Sequence, residues 1–162
     1  MKPASIRAGR DADADGFIAL IGACWAEYPG CVMDVDAEVP ELRALANHLR
    51  EKDGALWTAE ADGSVVGTVA TYPEGSGTWA ISRMYVDRAH RGSRLADRLL
   101  DTAETHAIAA GATRLTLWSD TRFERAHRFY ERRGYVRSGP TRSLGDLSNS
   151  IEFRYAKPVI RS

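Results

Sequence analysis

The stretch MYVDRAHRGSRLADRLL, residues 84–100, contains the change of period that decides the fold. Upstream of it, Trp79, Ile81 and Tyr85 alternate with Ala80, Ser82 and Met84, the period of two expected of a strand over residues 78–86. Downstream, Leu95, Leu99, Ala103, Ala107 and Ala110 recur at helical spacing, and Gly111 stands where a helix C-cap is expected. Residues 114–118 return to strand. The strand-helix-strand unit over 78–118 should therefore cross over right-handed.

Working back from this unit, residues 55–61 and 64–73 are β-rich and meet at Asp62-Gly63, a dipeptide that accepts the positive φ angles of a two-residue hairpin turn. Earlier still, a short strand over 5–8 precedes a helix with Asp11 and Asp13 as candidate N-caps and Phe17, Ile21, Cys24 or Trp25, and Tyr28 at helical spacing. Pro40 opens a second helix that carries Leu42, Leu45, Ala46 and Leu49 on one face. Working forward, Asp120 or Thr121 caps a helix holding Phe123, Ala126, Phe129 and Tyr130, which Gly134 closes. Residues 136–142 and 149–156 read as two final strands. The order βααβββαβαββ predicts an α/β (α+β) fold, with a mixed, mostly antiparallel twisted sheet of about seven strands flanked by about four helices. At 162 residues with ordinary globular composition, residues 1–162 read as a single domain.

Twenty-two basic residues balance twenty-two acidic ones, so no overall field draws the chain to nucleic acid or an anionic membrane. Cys24 and Cys31 have no metal-ligand spacing and read as reduced thiols; no metal site is expected. Neither a membrane-length apolar run nor a signal-peptide pattern occurs, which points to the cytoplasm.

Against that neutral background, Arg88, His90, Arg91, Arg94 and Arg98 gather positive charge around the start of the long helix, where backbone amides are unpaired. A diphosphate suits such a junction, and so does a plain solvated basic turn. Neither GxxxxGK[ST] nor, at this junction, GxGxxG is present, which argues against nucleotide hydrolysis.

At this junction the chain resembles the GNAT N-acetyltransferases, whose signature is Arg or Gln followed by x-x-Gly-x-Gly/Ala. Arg91, Gly92 and Ala96 fit the run, as does the preceding strand ending MYV, but Arg94 occupies the first Gly position. A second run, TRFERAHRFYERRGY at 121–135, resembles the family's fourth helix through Ala126, Phe129, Tyr130, Gly134 and Tyr135, with Phe123 where many members have Asn. The resemblance implies acetyl transfer from acetyl-coenzyme A, as co-substrate, to the primary amine of a small molecule by direct attack. It implies cofactor contacts from Met84, Tyr85, Val86, Arg91, Gly92, Ser93, Arg94, Leu95 and Ala96, with the backbone of residues 84–86 holding the pantetheine arm in a gap between splayed strands. Arg94 is expected in the opening helical turn, at a φ any residue tolerates.

Tyr130 matches the tyrosine that members place near the coenzyme sulfur, which implies a general acid, although its helical face also suits core packing. Glu27, Asp34 and Asp120 are the acidic residues nearest the expected acceptor region, with Asp36 beside them, and Trp25, Tyr28, Met33 and Trp57 offer an aromatic wall. His106 and His127 lie inside helices and read as surface or satisfied histidines, and neither cysteine has the neighbours of an acyl-cysteine nucleophile. Two rival readings stand beside this one: a coenzyme-binding sensor without transfer, and an acetyltransferase of protein lysines or N-termini. Dimerisation is common in the family, and the C-terminal strands would support a homodimer.

Overall fold

The computed structural model describes residues 3–160, which build one eight-stranded sheet with helices on both faces. In chain order the elements are β1 (Ser5–Ala8), α1 (Ala14–Trp25), α2 (Val35–Glu38), α3 (Leu45–Glu51), β2 (Ala55–Ala61), β3 (Ser64–Gly75), β4 (Thr78–Val86), α4 (Leu95–Ala109), β5 (Arg114–Asp120), α5 (Glu124–Arg132), β6 (Val136–Arg137), β7 (Arg142–Ser143) and β8 (Ile151–Pro158). The strands lie in the order β1-β2-β3-β4-β5-β8-β6, with β7 also on β8, and only the β4–β5 pair is parallel. No helix of the described residues is long and apolar enough to cross a membrane.

The expected fold class holds, with eight strands in place of seven and five helices in place of four. Residues 136–142 divide into β6 and β7 because Gly139 takes φ 73° and Pro140, lacking an N–H, cannot donate to a ladder. The extra helix, α2, is one turn capped by Asp34, whose Oδ1 accepts the Ala37 N–H at 3.1 Å. The turn expected to open a second helix at Pro40 is a 3-10 turn, Pro40–Ala44, that runs into α3. The Asp62-Gly63 turn takes φ 51° and 78°, the positive pair a tight hairpin requires.

The two faces carry separate cores. On one, Leu95, Leu99, Leu100, Ala103 and Ala107 of α4 pack with Tyr130 and Tyr135 onto Val69, Trp79, Ile81, Leu115 and Leu117. On the other, Phe17 and Ile21 of α1 and Leu42, Leu45 and Leu49 close over Leu56 and Ala70. Gly67 of β3 sits where α4 presses on the sheet: a Cβ there would lie 2.9 Å from Leu99 Cδ1.

Asp13 ties the edge of the sheet to α1. Its carboxylate takes Arg7 Nη1 and Nη2 of β1 at 2.9 and 2.8 Å, Thr58 Oγ1 of β2 at 2.9 Å and the Arg10 N–H at 2.9 Å. The Arg7 guanidinium, with burial opposing, holds the carboxyl down to about 2 from an ordinary 3.8. A depressed carboxyl stabilises fully above its unfolded pKa, and that stabilisation is lost as pH falls through the folded value. Asp13→Asn should lower unfolding free energy at neutral pH by about 2 kcal/mol. In denaturant titrations from pH 7 down to pH 2 the gap between wild type and variant should then close below about pH 4. Two profiles falling in parallel over that window would show that Asp13 does not carry this linkage.

Candidate active site

The site begins with a break in the sheet. β4 pairs with β3 along most of its length, but with β5 only over Thr78–Ala80 against Arg114–Thr116. Beyond Ala80 the two strands part, leaving the β5-facing edge of β4 without a strand partner. The register of β4 on β3 shifts between Ser82 and Tyr85, where Arg83 takes φ 52°, a bulge of the kind that bends a strand away from its neighbour. β5 meanwhile stays paired with β8 from Arg114 through Asp120.

A cleft of about 150 Å³ occupies the gap, lined by Met84, Tyr85 and Val86 of β4, Cys24 and Tyr28, Arg91, and Phe123, Arg125, Ala126, Phe129 and Tyr130. A larger cleft of about 560 Å³ lies on the α1–α3 face, with Trp25, Tyr72, Ser82, Arg83, Trp118 and Asp120 among its walls. Tyr85 and Phe123 line both, so the clefts meet there. Two aromatic contacts build the junction: Trp25 Nε1 donates to Tyr85 Oη at 3.0 Å, and the Tyr28 and Phe123 rings sit 4.8 Å apart.

At the outer end of the narrow cleft, the loop from β4 to α4 presents backbone donors. The N–H groups of Gly92, Ser93, Arg94, Leu95 and Ala96 have no acceptor among the described residues. Gly92 takes φ 82°, and Arg94, the N-cap of α4, takes φ 65° and ψ 12°. Arg94 is therefore not in the opening helical turn. It adopts the left-handed backbone that glycine adopts freely, so the loop keeps its path at a cost to a side chain with a Cβ. The Arg94 side chain is exposed.

The other loop cations divide into engaged and open. Arg98 Nη1 donates to the Ala4 carbonyl, and His90 Nδ1 lies 3.4 Å from Asp87. Arg91 is fully engaged at its fork, with Nη1 and Nη2 on Glu27 Oε1 and Oε2 at 2.7 and 2.6 Å. That pair removes Glu27 from the acceptor side: it does not line the large cleft, and the Arg91 guanidinium holds its carboxyl below the usual range. Asp34 is exposed and spent on capping α2, and Asp36 pairs with Arg43. Neither reaches the cleft.

Asp120 does line the large cleft, but it does not cap α5. Phe123 holds the N-cap position without a side-chain cap, while the Asp120 carboxylate takes Arg122 Nε and Nη2 at 2.9 and 2.8 Å and the Arg122 N–H at 2.9 Å. Burial pushes the Asp120 carboxyl up, and the Arg122 hydrogen bonds overcome it, holding the group below the usual range. The Asp120 carbonyl accepts from His127 Nε2 at 2.9 Å; burial lowers this imidazole, which stays neutral and ties α5 to the end of β5. His106 is an exposed ring against Trp57 and Trp79, and Trp57 lies on the α4 side of the sheet, away from both clefts.

Carboxylates that the sequence left unremarked reach the large cleft through topology. Glu152 of β8 stands opposite Asp120 and beside Arg142, whose Nε it holds at 2.8 Å. Glu41 holds Arg83 Nη2 at 2.5 Å, and Glu38 accepts the Leu147 N–H at 2.8 Å. The half-buried alternation of β8 was visible; its place beside β5 was not.

Tyr130 is 6% exposed and packs against Phe129, Tyr135 and Tyr155. Its hydroxyl has no hydrogen-bond partner among the described residues, and burial pushes the phenol well above its ordinary value, so it stays protonated at neutral pH. Cys24 Sγ lies 3.6 Å from the Val86 carbonyl, and burial pushes its thiol up, the opposite of an activated nucleophile. Among the described residues no group of three or more His, Cys, Asp or Glu is arranged to hold a metal.

The sequence profile of the acetyltransferase (GNAT) family matches residues 18–135, more than half of the chain. Among solved structures, an acetyltransferase from Streptococcus agalactiae superposes with a TM-score of 0.82 at 20% identity, covering 98% of this chain and 100% of its own. The PaiA N-acetyltransferase of Thermoplasma acidophilum, solved with coenzyme A, gives 0.75 at 16% over 98% and 100%. An aminoglycoside 6'-N-acetyltransferase, also solved with coenzyme A, gives 0.72 at 17% over 98% of both chains. No curated protein matches the sequence.

The backbone at residue 94 can be tested through stability. Arg94→Gly should leave stability unchanged or raise it by up to about 1 kcal/mol, relief of the left-handed strain offsetting the extra freedom of the unfolded chain. Arg94→Val, β-branched, should lower it by about 1–2 kcal/mol. Urea titration measures both, and a valine variant as stable as wild type would mean that residue 94 does not hold this conformation.

Proposed function

The chain belongs to the GNAT acetyltransferase family, and from that premise we propose that it transfers an acetyl group from acetyl-coenzyme A to the primary amine of a small molecule by direct attack. One observation carries the reading: the narrow cleft runs from Arg91, the loop residue that precedes the unpartnered N–H groups of Gly92–Ala96, along the unpaired edge of β4 to the unpartnered Tyr130 hydroxyl. Acetyl-coenzyme A fits these groups in kind. A diphosphate accepts from the loop amides at the start of α4, and an extended amide-bearing arm accepts and donates along an open strand edge.

When bound, the thioester supplies an activated acyl carbon and a thiolate leaving group. The residues of the chain do the rest. The backbone of Met84, Tyr85 and Val86 holds the arm as an added strand and offers an N–H to the developing oxyanion. Tyr130 holds its proton at Oη and gives it to the departing sulfur, and the proton that the amine sheds on attack passes through solvent in the larger cleft and restores the phenol. Phe129, Ala126 and Phe123 narrow the cleft and exclude water.

The larger cleft would take the acceptor, since it opens on the narrow one at Tyr85 and Phe123. Its volume is that of a small-molecule site rather than of an extended groove. Glu38, Glu41, Asp120, Asp146 and Glu152 face Lys52, Arg83 and Arg142 there, a balance that favours a cationic amine. Trp25, Tyr72 and Trp118 supply the aromatic surface. Asp120, held ionised by Arg122, is a weak proton acceptor and serves charge rather than base catalysis.

The test is thiol release from acetyl-coenzyme A against a panel of amines, with coenzyme A affinity measured alongside. Tyr130→Phe should lower kcat by about 10- to 100-fold while leaving coenzyme A affinity within about twofold. Tight coenzyme binding with no turnover on any amine would favour the sensor, and absence of binding would end the reading.

A further inference from the structure

The Arg91–Glu27 pair has a feature that the family reading does not use. Arg91 is the residue expected to meet the diphosphate, yet both terminal nitrogens of its guanidinium are committed to one carboxylate. Glu27 lies just beyond α1, its backbone N–H on the Cys24 carbonyl, and Arg125 Nη1 approaches the same carboxylate at 3.9 Å. Arg88 adds a favourable field. A carboxylate with planar oxygens thus sits among three arginines, and it holds the loop residue whose next five backbone N–H groups have no acceptor among the described residues. That is the setting that would otherwise receive a phosphate.

We propose that Glu27 is a built-in competitor for the coenzyme diphosphate, occupying the Arg91 fork in the free protein and setting the affinity of the loop below what its donors would give. The inference rests on the coenzyme reading above. A diphosphate reaches Arg91 only by drawing the guanidinium off Glu27, and it does so while sharing the site with a negative charge. Both effects weaken binding; the charge vanishes when the carboxylate becomes an amide, and the hold on Arg91 falls to one uncharged acceptor oxygen. The other role open to Glu27 is to position Arg91 for the ligand, and it has the opposite sign: removing the carboxylate would then loosen Arg91 and weaken binding. Glu27 and Arg91 are 20% and 24% exposed, so solvent moderates the pair and the effect is set at about tenfold.

Two ligands separate the roles, since coenzyme A carries the diphosphate and pantetheine does not. Glu27→Gln should bind coenzyme A about tenfold more tightly than wild type by calorimetry, with pantetheine affinity unchanged. In an Arg91→Gln background the gain should be smaller, because only the repulsion by the Glu27 charge is then removed. Glu27→Ser gives the same readout should the glutamine variant not fold, folding being checked by a cooperative thermal transition. Equal or weaker coenzyme A binding by the variant, with wild type binding normally, would overturn the proposal and leave the coenzyme reading intact. A gain shared equally by pantetheine would also overturn it, because the effect would then lie elsewhere in the cleft. Wild-type protein that does not bind coenzyme A would sink both.

Discussion

Among the described residues, the ladder between the two halves of the sheet is only three residue pairs long, Thr78–Ala80 with Arg114–Thr116, extended at one end by the Thr113 and Arg114 N–H groups on the Gly77 carbonyl. On one side β4 is held by β3, and on the other β5 is held by β8 over its whole length. Each half is well paired, so neither can bend to close the gap that opens past Ala80. The bulge at Arg83 makes the separation local, and the left-handed φ there marks its turning point. Everything chemical in the molecule sits at the mouth of that gap: the end of β4, the loop into α4, the end of β5 and the first turns of α5. A fully paired β4–β5 ladder would leave Tyr130 an ordinary core aromatic and Met84 an ordinary strand residue.

The gap also explains why the Tyr130 hydroxyl goes without a protein partner in a well-packed core. Buried hydroxyls and amides are nearly always satisfied, and those that are not ask for a reason. Tyr135 meets the rule through Glu104, at 2.7 Å, and Tyr155 through Arg137 and Glu131. Tyr130 packs against both of these tyrosines and does not. The difference is position: Tyr130 alone of the three lines the gap, where no side chain of the described residues reaches its hydroxyl.

Much of the framework could be read from the residues because it depends on near neighbours. The Asp62-Gly63 hairpin, the limits of β4 and the stripe of α4 are local patterns of two, or of three and four, residues, and they stand as expected except at Ala110, which is the exposed C-cap of α4 instead of the end of its buried stripe. What could not be read depends on distance along the chain. The Arg91–Glu27 fork joins positions 64 residues apart, and the approach of Glu152 to Asp120 follows from strand order. Asp120 and Asp34 illustrate the same limit from the other side. Each is a good N-cap by type, yet Asp34 caps a helix the periodicity did not reveal, and Asp120 is taken by Arg122 before α5 begins. Arg94 shows a local rule overruled: the residue disfavours the left-handed region, but the geometry between Val86 and Leu95 requires it.

Charge inventory by sequence therefore overstates what this loop offers a ligand. Five potential cations surround the start of α4, but Arg91 and Arg98 are committed to the protein and His90 lies against Asp87, while the Arg94 guanidinium has no hydrogen bond among the described residues. The same holds in the large cleft, where Glu41, Asp120 and Glu152 each bring an arginine with them. In a chain with no net charge, a charged ligand entering either cleft would meet such pairs rather than free charges, and its binding would depend on the geometry needed to displace or share a paired charge more than on bulk attraction.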